Sequence, residues 1–254
     1  MNYDSIAEWY DVFVHARKDL AFFLNEAKKA RGDVLDLMCG TGRVAIPLVK
    51  AKIRLTCMDI SPRMLWIFRQ KLIAKGFFAQ AYQMDVVDFT LVNRFNLVII
   101  PSDSFAEIIH KSERLQVVQR IYEHLKPGGT FICTLQNPLK IKQWANGKLK
   151  QVGKFPFPDE EGNLQVLVQP ELTPLGDGVI GSQIFERFDR RGIMTEKKTL
   201  ALQLAVIEKT EFEEMCTEIG FRKIALYGDY SQEKFDPQNS PSLIWKMHRP
   251  KSLR

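Results

Sequence analysis

The chain has 254 residues and a formal net charge of +6, from 36 Lys and Arg against 30 Asp and Glu. Hydrophobic residues make up 45% of it and charged residues 26%, which is typical of a globular protein with one or two domains and excludes disordered, collagen-like and coiled-coil chains. No apolar run reaches the roughly 18 residues of a membrane helix. The first residues lack the basic and apolar regions of a secretory signal, so we expect a cytoplasmic protein without a membrane partner.

Two further features of composition concern metals and nucleic acids. The cysteines, Cys39, Cys57, Cys133 and Cys216, lie far apart, and their spacing fits neither a zinc site nor a disulfide framework. We therefore expect no bound metal. Lys and Arg alternate with Asp and Glu along the chain, which is typical of a solvated surface rather than of a nucleic-acid patch.

The first 137 residues predict helices followed by alternating strands and helices. Residues 1–30 carry two amphipathic helical patterns, and a glycine ends the second. Beyond them, short apolar runs predict five strands, at 34–37, 53–59, 77–84, 95–101 and 130–135. Ser61 and Pro62 are an N-cap and a proline at the first helical position, and Ser112 is expected to cap the next helix. Strands separated by helices predict right-handed βαβ units and a parallel sheet.

The pattern changes between residues 139 and 207, where polar and apolar residues alternate at 165–168, 183–188 and 199–204. Such alternation predicts an antiparallel sheet with one solvated face. After it, Thr210 and Glu213 predict a capping box, and runs at 221–227 and 243–248 predict a final antiparallel strand pair.

The expected fold is therefore α/β, with a doubly wound, Rossmann-like, mostly parallel seven-stranded sheet, an antiparallel final strand and a small inserted antiparallel β cap. Residues 1–138 and 208–254 would form the core, in which 1–30 are an N-terminal helical clasp. Residues 139–207 would form a substrate cap.

Ligands of open α/β sheets bind outside the carboxyl ends of the strands. Gly40 and Gly42 follow the first strand and allow a tight turn close to a ligand. Asp59 ends the second strand, and its ionised carboxylate can accept both hydroxyls of a ribose. Asp85, after the third strand, can accept from the exocyclic amine of a purine. Together these residues predict an adenosine site, in which the backbone N–H of Val86 lies beside Asp85 and in which Ile60 and Met64 sandwich the base.

A dinucleotide cofactor is one alternative. Gly40, Gly42 and Ala45 with Asp59 also fit the G-x-G-x-x-G/A fingerprint. However, Asp36 stands just before the turn and would repel a pyrophosphate, and Asp85 supplies a contact that the fingerprint does not require. An acid at the first turn favours a cationic ligand instead.

The segment from Val34 to Gly42 resembles the first motif of class I S-adenosylmethionine-dependent methyltransferases. The run from Asp36 to Leu48 looks especially like the branch that methylates small molecules, including amines and sugar amines. Four further segments are similar to that branch: Met58 to Leu65, Leu125 to Gly129, the opening Tyr3 to Asp11, and the ending Tyr227 to Tyr230. The resemblance covers most of the chain and is weakest over 139–207.

The resemblance implies S-adenosylmethionine as cofactor, S-adenosylhomocysteine as product and a role for each motif residue. Asp36 and the backbone of the first turn would hold the methionine end, Asp59 the ribose, and Asp85 with Val86 the adenine. The residues expected at the cofactor are Tyr10, Asp36, Met38, Gly40, Thr41, Gly42, Arg43, Asp59, Ile60, Met64, Asp85, Val86, Pro101 and Ser102. Met38 stands where the family often has glycine, and we expect it to take ordinary backbone angles.

Catalysis of methyl transfer depends on positioning, because the methyl group of a sulfonium is already activated. A neutral amine needs no strong base, whereas a hydroxyl needs one. The candidate catalytic residues are Glu107, Tyr10 and His110. Glu107 falls, by similarity, near the acceptor nitrogen, although an exposed glutamate at a helix start is its alternative interpretation. We therefore expect in-line methyl transfer to a small molecule, on nitrogen rather than oxygen, by a monomer or homodimer.

Two other functions fit the same fold. A nucleic-acid methyltransferase, acting on RNA for example, typically has an Asn/Asp-Pro-Pro-aromatic run after the fourth strand to grip a flipped base. Here that position reads Pro101 to Ser104 and does not match, so nucleic acid is not the expected partner. A non-catalytic S-adenosylmethionine-binding module also remains open, because a fold does not prove turnover.

Overall fold

The computed structural model describes residues 1–158 and 162–251. Within them, a seven-stranded and a four-stranded sheet are formed by β1 (Val34–Leu37), β2 (Leu55–Asp59), β3 (Gln80–Gln83), β4 (Phe95–Ile100), β5 (Leu125–Gln136), β6 (Lys150–Pro156), β7 (Asn163–Leu172), β8 (Gly178–Phe188), β9 (Met194–Ala205), β10 (Arg222–Tyr227) and β11 (Ser242–His248). The α-helices are α1 (Ala7–Phe13), α2 (Leu20–Ala30), α3 (Ala45–Lys50), α4 (Pro62–Ala74), α5 (Lys111–His124), α6 (Pro138–Trp144) and α7 (Lys209–Ile219). Short 3-10 helices cover Tyr3–Ile6 and Ser104–Glu107.

The larger sheet has the strand order β10-β11-β5-β4-β1-β2-β3. Val34 of β1 pairs in parallel with Leu55 of β2 and with Leu97 of β4, and all four residues of β1 are buried. The order of the strands reverses between β1 and β4, which is the switch point where such sheets open a crevice for a ligand. β11 runs antiparallel to both β5 and β10. The expected parallel sheet with an antiparallel final strand is confirmed.

The smaller sheet is an antiparallel meander in the order β6-β7-β8-β9. Buried and less buried residues alternate along β7, as its polar and apolar pattern predicts. Two elements of this region were not predicted, α6 and β6. β6 was not predicted because most of its side chains are exposed and because Gly153 interrupts its pattern at a register shift.

The clasp consists of the helices α1 and α2, as expected, preceded by a 3-10 turn. Its Ile6, Trp9 and Val12 pack in one cluster with Leu164 and Phe185 of the smaller sheet. The amino group of Lys198 lies 4.1 Å from the centre of the Trp9 ring. The 3-10 turn and α1 are therefore held against the four-stranded sheet, whereas α2 packs on the larger sheet.

Helix starts agree with the sequence at one position and differ at two. The Ser61 hydroxyl accepts the backbone N–H of Met64 at 3.0 Å and caps α4, as predicted. In contrast, α5 begins after His110 and α7 after Glu208, without a side-chain cap, so the predicted cap at Ser112 and capping box at Thr210 are wrong. Backbone hydrogen bonds to the carbonyls of His110 and Glu208 start both helices before Ser112 and Thr210.

Strand ends also shift. β2 and β3 are shorter than predicted, whereas β5 begins at Leu125, before the predicted start at residue 130. None of the helices in the described residues is long and apolar enough to cross a membrane.

Candidate active site

A cavity of about 260 Å³ opens at the carboxyl ends of β1 and β2, between the larger sheet and the clasp. The sequence-predicted residues that line it are Tyr10, Met38, Gly40, Asp59, Ile60, Met64, Asp85, Val86 and Glu107. The switch point of the sheet therefore brings together residues from five separate segments of the chain.

The two glycines of the first turn have different roles. Gly40 has φ +55°, and a Cβ built on it would meet no atom within 4 Å. Gly40 also lines the cavity, and because it has no side chain, its backbone is open to a ligand there. Gly42 has φ +84°, and its Cβ would lie 2.2 Å from Cδ2 of Phe68. Gly42 therefore makes room for α4 and is not among the residues that line the cavity.

Met38 departs from the sequence expectation. Its φ of +59° lies in the left-handed region, which costs an L-residue roughly 1–2 kcal/mol. The next residues hold this conformation, because the N–H of Cys39 donates to Met58 at 3.0 Å and that of Gly40 to Asp59 at 2.7 Å. Tertiary hydrogen bonds, rather than a permissive residue, therefore form this turn.

Asp59 is oriented by backbone donors on both sides. Its Oδ2 accepts the N–H of Gly40 at 2.7 Å, and its Oδ1 accepts the N–H of Ser61 at 2.9 Å. Burial raises the pKa of this carboxyl, although the backbone donors oppose the shift. Each carboxylate oxygen keeps a second lone pair for a ligand.

Asp85 and its neighbours form the opposite wall. Oδ1 of Asp85 accepts the N–H of Val87 at 2.9 Å. Val86 and Met64 are buried, whereas Ile60 is 57% exposed at the rim. The carboxylate oxygen can accept a hydrogen bond from the edge of an aromatic base, and the apolar side chains beside it can pack against the faces of that base.

Asp36 lies behind the cavity and does not line it. Its side chain is fully buried, and neither carboxylate oxygen has a hydrogen-bond partner. Burial raises the pKa of Asp36 to about 8, against the opposing effect of Arg43. A buried carboxyl without a partner is costly, and a nearby cationic group would stabilise its ionised form.

Several predicted cofactor residues instead hold the clasp. The Thr41 hydroxyl donates to Asp11 at 2.7 Å. Arg43 donates to both carboxylate oxygens of Asp19, at 2.7 and 2.6 Å, and also to the hydroxyl of Ser102. These bonds tie the clasp to the first turn, which explains why neither Thr41 nor Arg43 lines the cavity.

Two more predicted residues stay outside the cavity lining. Pro101 is buried at the end of β4, and His110 is exposed just before α5. The candidate catalytic role of His110 therefore has no support from its position.

Glu107 is a largely buried carboxyl, not the exposed glutamate of the alternative interpretation. Its side chain is 16% exposed, and its Oε1 accepts the Tyr3 hydroxyl at 3.0 Å. The amino group of Met1 lies 3.7 Å from Oε2. Burial raises the pKa of Glu107 to about 7, and the Met1 amino group and the Tyr3 hydroxyl oppose this shift.

Tyr10 stands beside this pair. Its ring meets that of Tyr3 edge to face, with 5.9 Å between centroids. Burial, and then the charge of Glu107, raises the pKa of Tyr10 to about 12. At neutral pH its hydroxyl is therefore protonated and able to donate a hydrogen bond.

Sequence reasoning missed part of the cavity wall: Met1, Tyr3, Met58, Met84, Val87, Ser104, Ile108 and Glu113. Tyr3 belongs to the opening segment that carries the family resemblance, which was a usable signal. Its contact with Glu107 spans 104 positions, so no local pattern could pair the two residues.

Comparison with known proteins agrees with this geometry. Residues 34–129 match the family described as Methyltransferase domain. A protein of Geobacillus sp. (strain WCH70), provisionally named as a methyltransferase, is 27% identical over 249 residues, which cover 92% of this chain and 94% of that protein.

Solved structures are similar over nearly the whole chain. An S-adenosylmethionine-dependent methyltransferase from Clostridium acetobutylicum ATCC 824 superposes with a TM-score of 0.80 at 20% identity, covering 98% of this chain and 99% of that one. The sugar N-methyltransferase KedS8 from Streptoalloteichus sp ATCC 53650 has a TM-score of 0.75 at 18% identity, covering 95% and 93%. The chain therefore contains a methyltransferase domain over residues 34–129 and shares its fold with S-adenosylmethionine-dependent methyltransferases.

Proposed function

We propose that this enzyme methylates an amine nitrogen of a small molecule and that Glu107 receives that amine. The observation that carries the proposal is the largely buried Glu107 carboxyl, which lines the cavity and is oriented by Tyr3. A carboxylate suits an ammonium that must lose a proton before it can attack. The similar protein KedS8 is a sugar N-methyltransferase, which supports the same choice of atom.

The residues present fit S-adenosylmethionine. The partnerless Asp36 carboxyl suits the cationic methionine end, and the open backbone at Gly40 leaves room beside it. Asp59 would accept the ribose hydroxyls, and Asp85 with Val86 would bind adenine. The cofactor supplies a methyl group that is already activated on its sulfonium sulfur.

Glu107 would hold the acceptor ammonium and take up its proton at a carboxylate oxygen. Because its pKa is raised to about 7, ionised and protonated forms of Glu107 are both populated near neutral pH, which suits a group that exchanges a proton. Tyr3 donates to Oε1 and so fixes the direction of the carboxyl. Tyr10 keeps its proton and would donate a hydrogen bond into the cavity.

A small acceptor suits the dimensions and cover of the site. The clasp closes one side of the cavity, and the four-stranded sheet supports the clasp. We assign residues 139–207 to a cap that shapes the acceptor end. A nucleic-acid acceptor would bring phosphates to a wall that contains Asp85, Glu107 and Glu113, which argues against that alternative.

The test is methyl transfer from labelled S-adenosylmethionine to primary and secondary amines, with alcohols of the same carbon skeleton in parallel. We expect label on amines, with the methylated atom identified by mass spectrometry. Label on oxygen alone would overturn the proposal.

The Glu107→Gln variant tests the assigned residue. Loss of a proton-transfer group typically lowers turnover about 10²- to 10⁴-fold, and we expect that loss in kcat with unchanged cofactor affinity. Glu218, exposed on α7, provides the matched control Glu218→Gln, for which wild-type kcat is expected. Equal kcat in both variants would contradict the role of Glu107.

A further inference from the structure

The charges around the cavity are mostly negative. Four carboxylates line it, those of Asp59, Asp85, Glu107 and Glu113, and the described lining residues include no Lys, Arg or His side chain. The cationic group among them is the Met1 amino group, which lies 3.7 Å from Oε2 of Glu107. With Asp59 and Asp85 assigned to the cofactor, Glu107 and Glu113 are left for the acceptor, together with the hydroxyls of Tyr3 and Ser104.

The arginines of the neighbouring turn and helix, Arg43 and Arg114, have their own partners. Arg43 donates hydrogen bonds to both carboxylate oxygens of Asp19. Arg114, next to Glu113, donates to the carbonyls of Ile108 and Ile109 at 2.8 and 2.7 Å and to Glu211 at 2.8 Å. Neither guanidinium belongs to the cavity wall.

We propose that the acceptor is a cationic amine that carries no carboxylate or phosphate. This inference rests on the proposed N-methyltransferase function and narrows its substrate class. An anion in this cavity would lose hydration and face four carboxylates against one amino group, whereas an ammonium would gain partners.

Glu113 extends the argument to a second charge on the acceptor. It lies in the first turn of α5 and is partly buried, whereas Glu107 precedes that helix. Two carboxylates on one wall match an acceptor with two amino groups, one that reacts and one that is only bound. A diamine or an oligoamine has this chemistry.

Three compounds of equal chain length test the proposal: 1,5-diaminopentane, 5-aminopentan-1-ol and 5-aminopentanoate. They share the reacting amine and differ only in the distant group, which is cationic, neutral or anionic. Binding is measured by calorimetry on the full chain in the presence of S-adenosylhomocysteine. We expect the diamine to bind at least tenfold more tightly than the amino acid, with the alcohol between them. Equal affinities, or tighter binding of the amino acid, would overturn the proposal.

Variants of Glu113 locate the second charge. In Glu113→Gln the preference for diamine over amino alcohol should fall at least threefold, and in Glu113→Lys the amino acid should bind more tightly than the diamine. Glu123→Gln, exposed at the other end of the same helix, should keep the wild-type preference. An unchanged preference in Glu113→Lys would overturn the role of this residue.

Labelled methyl transfer into a mixed metabolite extract separates this inference from the proposed function. A cationic product, retained on a cation exchanger and methylated on nitrogen, supports both. A product that is N-methylated but carries a carboxylate or phosphate overturns only the present inference. A cationic product methylated on oxygen overturns the proposed function and leaves the charge preference standing.

Discussion

The carboxylate of Asp59, the last residue of β2, accepts the backbone N–H of Gly40 at 2.7 Å. The side chain at the end of β2 thus holds the turn that follows the neighbouring strand β1. Because the same carboxylate faces the cavity, its orientation is set before any ligand binds. Such preorganisation reduces the ordering that binding requires.

Replacing this carboxylate should weaken cofactor binding. We expect Asp59→Ala to cost about 1–3 kcal/mol of binding free energy, the usual effect of deleting a charged hydrogen-bond partner. Calorimetry with S-adenosylmethionine measures the change, and Asp88→Ala, at an exposed position, is the control. Unchanged affinity with an intact fold would rule out the ribose assignment.

Alanine substitutions at the two glycines of the first turn should have different effects, one mainly on stability and the other mainly on cofactor binding. Both alanine variants bear left-handed strain, but Gly42→Ala also overlaps the Phe68 ring. Overpacking typically costs about 1–3 kcal/mol, so Gly42→Ala should be less stable than Gly40→Ala by that amount in urea unfolding.

Gly40→Ala should instead show the greater loss of cofactor affinity, because its methyl group projects into open space at the cavity wall. The two variants thus serve as controls for each other. The opposite order in both measurements would contradict the different roles given to the glycines.

Asp36 should make stability depend on pH. Its pKa is about 8 in the folded chain and about 3.9 when unfolded, so the native state retains a proton that the unfolded state releases. The free energy of unfolding therefore falls as pH rises between about 4 and 8, by up to about 1.4 kcal/mol per pH unit for one group.

Asp36→Asn should remove this contribution and flatten the decline. Urea unfolding at pH 5, 6 and 7 gives the slope, and Asp88→Asn should leave it at the wild-type value. Parallel slopes for wild type and Asp36→Asn would show that Asp36 binds no extra proton in the folded chain.

Contact with the smaller sheet should control how firmly the clasp is held. Phe185 is fully buried in the cluster that includes Ile6 and Trp9. We expect Phe185→Leu to speed hydrogen exchange in residues 3–13 several-fold more than elsewhere, because local opening needs fewer contacts to break. Phe78→Leu, at a side chain that is 83% exposed, should have no such effect. A uniform increase across the chain would indicate global destabilisation instead.

The sequence predicted the larger sheet and the part of the cavity wall that follows β1, β2 and β3, because both depend on local patterns. Runs such as Leu97 to Ile100 are buried in a central strand, and such runs are readable without a partner. Gly40, Asp59 and Asp85 each follow a strand, and parallel strands bring their carboxyl ends to one edge.

The remaining features depend on contacts between distant segments. The backbone angle of Met38 follows from its neighbours' hydrogen bonds to Met58 and Asp59. Arg43 is held away from the cavity by its bonds to Asp19.

Tyr3 donates to Glu107 across 104 positions of the chain. Short-range periodicity carries no information about such pairs, which is why the cavity wall around Glu107 was predicted less completely than the wall after β1, β2 and β3.

The clasp is held from two directions, by its apolar contact with Phe185 and by hydrogen bonds from Ser61 to Asp4 and from Thr41 to Asp11. It also supplies Tyr3 and Tyr10 to the cavity. The clasp therefore links the smaller sheet to the cavity. A substitution in the smaller sheet that loosens the clasp would also change how often the cavity exchanges its ligands with solvent.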